Sequence, residues 1–539
     1  MIHRVLQRGQ RWRANRQLAG QVRRVETYLS QEPVDSAADK PVLVFNASTR
    51  IHSLSLNGAF SLLAAWGLRA RGVPVWHLVC QQGMEQCILG TDQRDLDRPP
   101  PCGSCLAFSR LLFPPERTRW LTLDQQAAAS AGFDLDGRSL DELRAWTYEG
   151  FPLGELCWPG LCWALRRNDL PDDEPERRLY RQYLRSAASL VEQIGAILDE
   201  LQPQALIVFN GITYPEAVAR ELARRRQIPV VTHEVGLRPY SAFFSHEEAT
   251  FRQIDLTDGH QLDPAQQAQL DAYLQSRRAG RFSMAGVRFW PVVEGLPADL
   301  EDRLETFERA VTVFTNVIFD TSQVHANSLF DDMFDWLEAL VPVVQSHPDT
   351  LFIFRAHPDE DRPGKVSRQA ASDWFAASDL HSVENAVLIR PDQYASSYEL
   401  IERSNLVLIY NSSVGLEASI MGAPVLSAGR ARFTQANTVF TPSSRAEYSA
   451  MLEALLAAGE PEPAHVGNAR RFLYKELFQA SLDFSRFLRP YPQMPGMVLF
   501  EEFDPAELQQ SLELGAVAKG VVAGTSFMLP APLNDQAHP

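Results

Sequence analysis

Apolar runs of strand length alternate with helical stretches along this chain, in two blocks, and that alternation limits the fold more than any other feature. In the first half the runs are PVLVFN (41–46), VPVWHLV (73–79), ALIVFN (205–210) and IPVVTHE (228–234). In the second half they are AVTVFTNVIF (310–319), TLFIFRAHP (350–358), NAVLIRP (385–391), NLVLIY (405–410) and APVLSA (423–428). The connecting stretches, among them YPEAVARELARRRQ and LFDDMFDWLEALVPVVQSH, carry the helical period. Strands joined by helices form mainly parallel sheets covered on both faces. The prediction is an α/β protein of two doubly wound, Rossmann-type domains. Boundaries are expected at 1–30 for a basic N-terminal helix and 31–300 for the first domain, with a cysteine-rich insertion at 80–165. The second domain is expected over 301–490, and a C-terminal helix and tail over 491–539. The stretch 255–305, rich in Gln, Asp, Pro and Arg, reads as a helical linker.

At 539 residues the chain is long enough for two or three domains, and its net charge of −16 argues against nucleic acid as a partner. The first 24 residues are the exception. They hold Arg4, Arg8, Arg11, Arg13, Arg16, Arg23 and Arg24, no acid, and interspersed Val5, Leu6, Trp12 and Leu18. Such a segment is either a solvated helix or one that rests on an anionic membrane. No apolar run approaches the roughly 20 residues of a spanning helix, and no signal-peptide core is evident, so a cytoplasmic protein, peripheral on the inner face of the membrane, is expected.

All six cysteines fall in the first third. Cys80, Cys87, Cys102 and Cys105 have the spacing C-x6-C, fourteen residues, C-x2-C. Four thiolates so close in sequence could hold zinc or an iron–sulfur cluster; the alternative is four buried, unliganded thiols. Cys157 and Cys162, in the Trp-rich ELCWPGLCWAL, read as core.

Ligands of doubly wound sheets bind beyond the carboxyl ends of the strands, and the polar clusters sit at those ends. LVLIYNSSVGLEASIMGAPVLSAG (406–429) is strand, polar turn, helix, strand. Ser412 and Ser413 stand where a helix begins, as caps or as phosphate ligands. Glu417 is too far along to close a capping box with either serine, which leaves it open to bind sugar hydroxyls. Arg355 and His357, two apart at the end of FIFRAHPDE, are expected on one face, aimed at a phosphate. Ser397 opens another helix, and Asp320 follows a strand near the domain junction. His233 and Glu234 end a buried strand of the first domain. Glu234 is the preferred general base, with His233 or Asp320 as substitutes, and a salt bridge to Arg238 is the structural alternative.

RAHPDE, followed by SSYELIERSNLVLIYNSSVGLEASIMGAPVLSAG, resembles the C-terminal domain of the capsular polysaccharide biosynthesis family, which includes bacterial Kdo transferases. VFNGITYPEAVARELARRRQIPVVTHEVG and VFTNVIFDTS are similar to further stretches of that group. The resemblance implies a GT-B-like glycosyltransferase whose two domains face across a cleft. It would move a sugar from a nucleotide donor, a CMP- or UDP-sugar, to a growing polysaccharide, glycan or glycolipid acceptor, with no metal required for transfer. Carried over by position, His357 with Ser412 or Ser413 would hold the donor phosphate and Glu417 the ribose or base; Arg355, Ser397 and Gly415 complete the expected donor set. The chain departs from the family where an acidic D/E-D/E-G motif is expected, THEVG being the nearest equivalent. Two other readings stay open: a CDP-polyol phosphotransferase with the same motifs, and a non-catalytic subunit that binds a glycan or partner.

Overall fold

The structure is a computed structural model that describes residues 2–31, 40–47, 51–246, 248–259, 261–280, 283–284, 287–288, 295–362, 365–393 and 395–530. The side chains of 2–10, 132–133, 283–284 and 287–288 are not described. Arg4, Arg8, Val5 and Leu6 of the basic segment, part of the linker and the end of the tail therefore lie outside the described side chains.

The first sheet holds β1 (Val42–Phe45), β2 (Val75–Cys80), β3 (Thr118–Leu121), β4 (Ala205–Phe209), β5 (Val230–Val235) and β6 (Ser241–His246). A two-strand ribbon, β7 (Ser283–Met284) and β8 (Val287–Arg288), precedes the second sheet. That sheet is β9 (Arg309–Phe314), β10 (Thr350–Arg355), β11 (Ala386–Ile389), β12 (Leu406–Ile409) and β13 (Val425–Ser427), ordered β11-β10-β9-β12-β13. All its pairings are parallel. In the first sheet β3-β2-β1-β4-β5 run parallel, and β6 turns back antiparallel on β5. Each of the nine apolar runs forms a strand. Residues of β1, β10 and β12 are buried throughout, as strands covered on both faces must be. β3 and β6 lack a continuous apolar run in the sequence, and neither was expected.

Each sheet has one core on either face. Helices Glu174–Leu201, Leu153–Leu165 and Glu216–Arg225 cover one face of the first sheet, where Cys157 and Cys162 are buried as expected. Helix Leu56–Arg69 covers the other. Behind it pack Leu18, Val22, Val25 and Leu29 of the N-terminal helix Ile2–Leu29. The linker contains the helix Pro264–Arg278, started by a capping box between Asp263 and Gln266.

The end of the chain returns to the first unit. β14 (Leu482–Asp483) joins the edge of the first sheet beside β6, and a hairpin of β15 (Leu488–Pro490) and β16 (Val498–Phe500) follows. The helix Leu512–Ala523 then packs on Leu56–Arg69. The crossing thus comes earlier in the chain than the expected boundary at 490. Gly67 lets the two helices touch, because a Cβ there would lie 2.9 Å from the Cβ of Leu514. Gly67→Ala is therefore expected to destabilise the protein by about 1–3 kcal/mol through overpacking, read as a lower urea midpoint. An unchanged midpoint would show that this contact is slack.

Candidate functional site

The carboxyl ends of both sheets open onto one cavity of about 530 Å³, lined from the first unit and, among others, by Asp320, Ser322, Lys365 and Arg432 of the second. Glu234 and Asp320 face this cavity from opposite sheets. Glu234 comes next to last in β5, just before the chain turns into β6. Asn57 Nδ2 donates to its Oε1 at 3.3 Å and Asn210 Nδ2 to its Oε2 at 3.4 Å, while the Val235 amide donates to Oε1 at 2.8 Å. Burial raises its pKa above the ordinary 4.5, and the charge of Asp320 adds to the rise against those three hydrogen bonds. Asn210 reaches the carboxylate because the chain turns sharply after β4. Its φ of 29° and that of Gly211, 72°, lie in the left-handed region that Asn and Gly tolerate.

The alternative for Glu234, a salt bridge to Arg238, is not made. Arg238 donates to the Ser481 carbonyl at 3.1 Å and lies 3.8 Å from Asp483. His233 points away from the cavity, as alternation along a strand requires. It is fully buried between Phe209 and Phe244, bonds Ser61 Oγ at 2.9 Å, and is pushed down to about 3 by burial. It cannot meet an acceptor there.

Asp320 begins a short turn, its Oδ2 accepting from Ser322 Oγ at 2.7 Å. His357 follows β10 and caps the next turn: its Nδ1 accepts the Asp359 amide at 3.1 Å. Burial lowers its pKa, and Asp359 and Asp320 oppose this. A neutral imidazole whose Nδ1 accepts must carry its proton on Nε2, which makes it a donor. Arg355 is a correction. It ends β10 inside the sheet, 2% exposed, and its Nη1 donates to the carbonyls of Ala356 and Arg390. It ties neighbouring strand ends and is not aimed at a phosphate beside His357.

The turn 411–413 lies against the Asp320 loop. Asn411 Oδ1 accepts from Gln323 Nε2 at 2.9 Å, and its Nδ2 donates to the Ser322 carbonyl at 3.0 Å. Ser413 is the N-cap of Val414–Ile420, yet its hydroxyl makes no capping bond. Ser412 beside it is largely buried. Ser397 opens the helix Ser397–Arg403, where Ser396 is the cap. Two further assignments are corrected. Gly415 packs its bare Cα against Ile409 of β12, so its role is close helix–strand contact. Glu417 is 6% exposed; Arg277 Nη2 holds its Oε1 at 2.8 Å, and the Tyr398 hydroxyl donates to its Oε2. It anchors the linker helix to the second unit in place of binding ribose.

Cys80, Cys87, Cys102 and Cys105 all line the cavity as free thiols. Burial pushes Cys80 and Cys87 up to about 12, and also raises Cys102 and Cys105. Among the described residues no three His, Cys, Asp or Glu side chains are gathered as metal ligands. No helix among the described residues is long and apolar enough to cross a membrane.

Asn57, Lys365, Arg252 and Arg432 also line the cavity, and sequence reasoning missed them. Asn210, the last residue of ALIVFN, was the one with a visible signal: a polar residue closing a buried strand just before a glycine.

Residues 294–437 match the model of a family described as capsule polysaccharide biosynthesis protein. No curated protein sequence matches the chain significantly. Among solved structures, the beta Kdo 2,4 transferase of KpsC from Thermosulfurimonas dismutans is 14% identical over 57% of this chain and 88% of its own, with a TM-score of 0.36. The UDP-GlcNAc 2-epimerase from Neisseria meningitidis bound to UDP-GlcNAc is 13% identical over 81% and 98%, with a TM-score of 0.23. The epimerase from Methanocaldococcus jannaschii in complex with UDP-GlcNAc and UDP is 11% identical over 80% and 98%, with a TM-score of 0.27. Scores this low add nothing to the topology already described. The stretch that matches this family's model, residues 294–437, contains the whole parallel sheet of the second unit.

Proposed function

We propose that the protein is a glycosyltransferase that moves a sugar from a nucleotide-sugar donor, a CMP- or UDP-sugar, to a glycan or glycolipid acceptor of capsule or surface polysaccharide synthesis. The observation that carries this reading is Glu234, a desolvated carboxylate held by two asparagines and set across a cleft from Asp320. Glycosyl transfer needs a base for the acceptor hydroxyl and donors for the departing phosphate. Glu234 supplies the base, since its raised pKa brings it nearer neutrality. His357, protonated on Nε2, supplies a donor on the opposite unit, with Ser412, Ser413 and Lys365 near the same strand ends. Asp320 positions the donor sugar between them.

The first unit's share of the cavity contains Phe45, Leu56, Met84, Ile88, Leu89 and Leu106. Such a wall favours an acceptor with an apolar portion. The N-terminal helix exposes Trp12 (60%) with Arg13, Arg16, Arg23 and Arg24, which supports peripheral placement on an anionic membrane surface.

The test is release of free nucleotide from CMP- and UDP-sugars by the purified full chain, with Glu234→Gln as its control. Glu234→Gln keeps the shape and removes the base, so turnover should fall by about a hundredfold or more while donor affinity holds. A parental rate in this variant would move the base elsewhere. The same substitution has a signature in stability. A carboxyl with a raised folded-state pKa favours the fold below its unfolded value, and that contribution is lost as pH rises through the folded value. Glu234→Gln is thus expected to melt above the parent near neutral pH, with the gap closing as pH falls toward 4.5. A gap independent of pH would mean that the carboxyl is not strained by its site. On the donor side, His357→Ala, and separately Ser412→Ala with Ser413→Ala, should weaken nucleotide binding by about 1–3 kcal/mol without unfolding the chain. Unchanged affinity in both would remove these residues from the donor site.

A further inference from the structure

Two arginines from different units meet at one end of the cleft. Arg252 follows β6 of the first unit and Arg432 follows β13 of the second; both line the cavity. Both donate to the same oxygen, Oε1 of Glu476. Glu476 is 0% exposed and is the first residue of a π-helical turn, Glu476–Ala480, that continues the helix Pro463–Lys475. A π turn re-aims the side chains of a helix and recurs at functional sites. It stands where the chain crosses back to the first sheet.

The charges do not balance. One carboxylate faces two guanidiniums. Arg252 is 6% exposed, lies on the ring of Phe243, and its Nη1 donates to the Ala249 carbonyl at 3.4 Å, but its Nε is buried without a partner. The Nη groups of Arg432 have no partner among the described residues, since its only side-chain bond runs from Nε. Arg252 is buried while the Arg432 side chain is 22% exposed, so the surplus positive charge stands at the cleft wall, where an oxyanion taken by the guanidinium fork would offset it. We propose that Arg252 and Arg432, held together by Glu476, form a subsite for an oxyanion of the cleft ligand, either a phosphate or a sugar carboxylate. The subsite rests on the reading of the cleft as a glycosyl-transfer site. It deepens that reading by requiring negative charge on the ligand at this end.

The experiment is calorimetric titration of the full chain, in phosphate-free buffer, with inorganic phosphate, with glucuronate, and with the uncharged nucleosides cytidine and uridine. The wild-type chain should bind one or both anions, and Arg432→Gln should weaken that binding about tenfold or more. Arg432→Lys keeps the charge against Glu476 but loses the fork, so it should fold and still bind several-fold more weakly. An effect on phosphate alone assigns the subsite to a donor or acceptor phosphate, and an effect on glucuronate alone to an acidic sugar. Failure of both anions to bind the wild-type chain, or affinities unchanged in the folded variants, overturns the subsite. The nucleosides separate the two claims. A nucleoside that binds where neither anion does sinks the subsite and leaves nucleotide-dependent transfer standing; anions that bind where no nucleoside does leave the subsite and count against the nucleotide.

Discussion

A parallel strand cannot be followed directly by its neighbour; the chain must first cross the sheet, here by helices, and so every strand of such a sheet ends on the same edge. The rest of this structure depends on that constraint. Asn46, Asn210, Glu234, Asp320 and Lys365, scattered in sequence, stand on two facing edges because each lies at or after the carboxyl end of a parallel strand. The site needs no motif continuous in sequence. Glu234 and Asp320 are brought opposite each other by the topology of two sheets, with no direct contact to recruit them.

The cleft so formed is expensive electrostatically, and Glu234 and the two arginines at its far end are each held by a neighbouring side chain. Glu234 is desolvated, but Asn57 and Asn210 hold both of its oxygens. At the end where the chain returns, Glu476 gathers an arginine from each unit and so sets their separation as well as the local charge. Elsewhere the units are joined by the Arg166–Asp169 segment: the Arg166 carbonyl accepts the Arg368 amide at 2.9 Å, and Asn168 Nδ2 reaches Asp332 at 3.2 Å. A linker helix, fixed by Arg277 to Glu417, makes a further tie. The relative placement of the two sheets, on which the Glu234–Asp320 arrangement depends, thus rests on polar contacts distributed around the cleft.

The fold was legible because buried parallel strands are nearly continuous apolar runs, and all nine found in the sequence are strands. β6 was not, since Ser241–His246 mixes polar and aromatic residues and runs antiparallel between β5 and β14. Glu234 and His357 were legible as polar residues at strand ends. Arg355 was misread because i, i+2 alternation holds only within a strand: Arg355 is its last member and His357 lies beyond it. Glu417 was correctly seen to lack a capping job, but its partner, Arg277, is far away in sequence, and no local pattern reveals such a pair. Arg252, Arg432 and Glu476 were invisible for the same reason. The cysteine spacing placed the four thiols near one another, and all four line the cavity, a position that spacing alone does not reveal.

Under the proposed function, nucleotide binds at the strand ends of the second unit, facing the carboxylate of the first. Hydrogen–deuterium exchange of the full chain, with and without saturating CMP or UDP, reads this most directly. Nucleotide is expected to slow exchange in the segments around 357–361 and 411–417, at the ends of β10 and β12. Protection confined to the first unit, or none with either nucleotide, would contradict it.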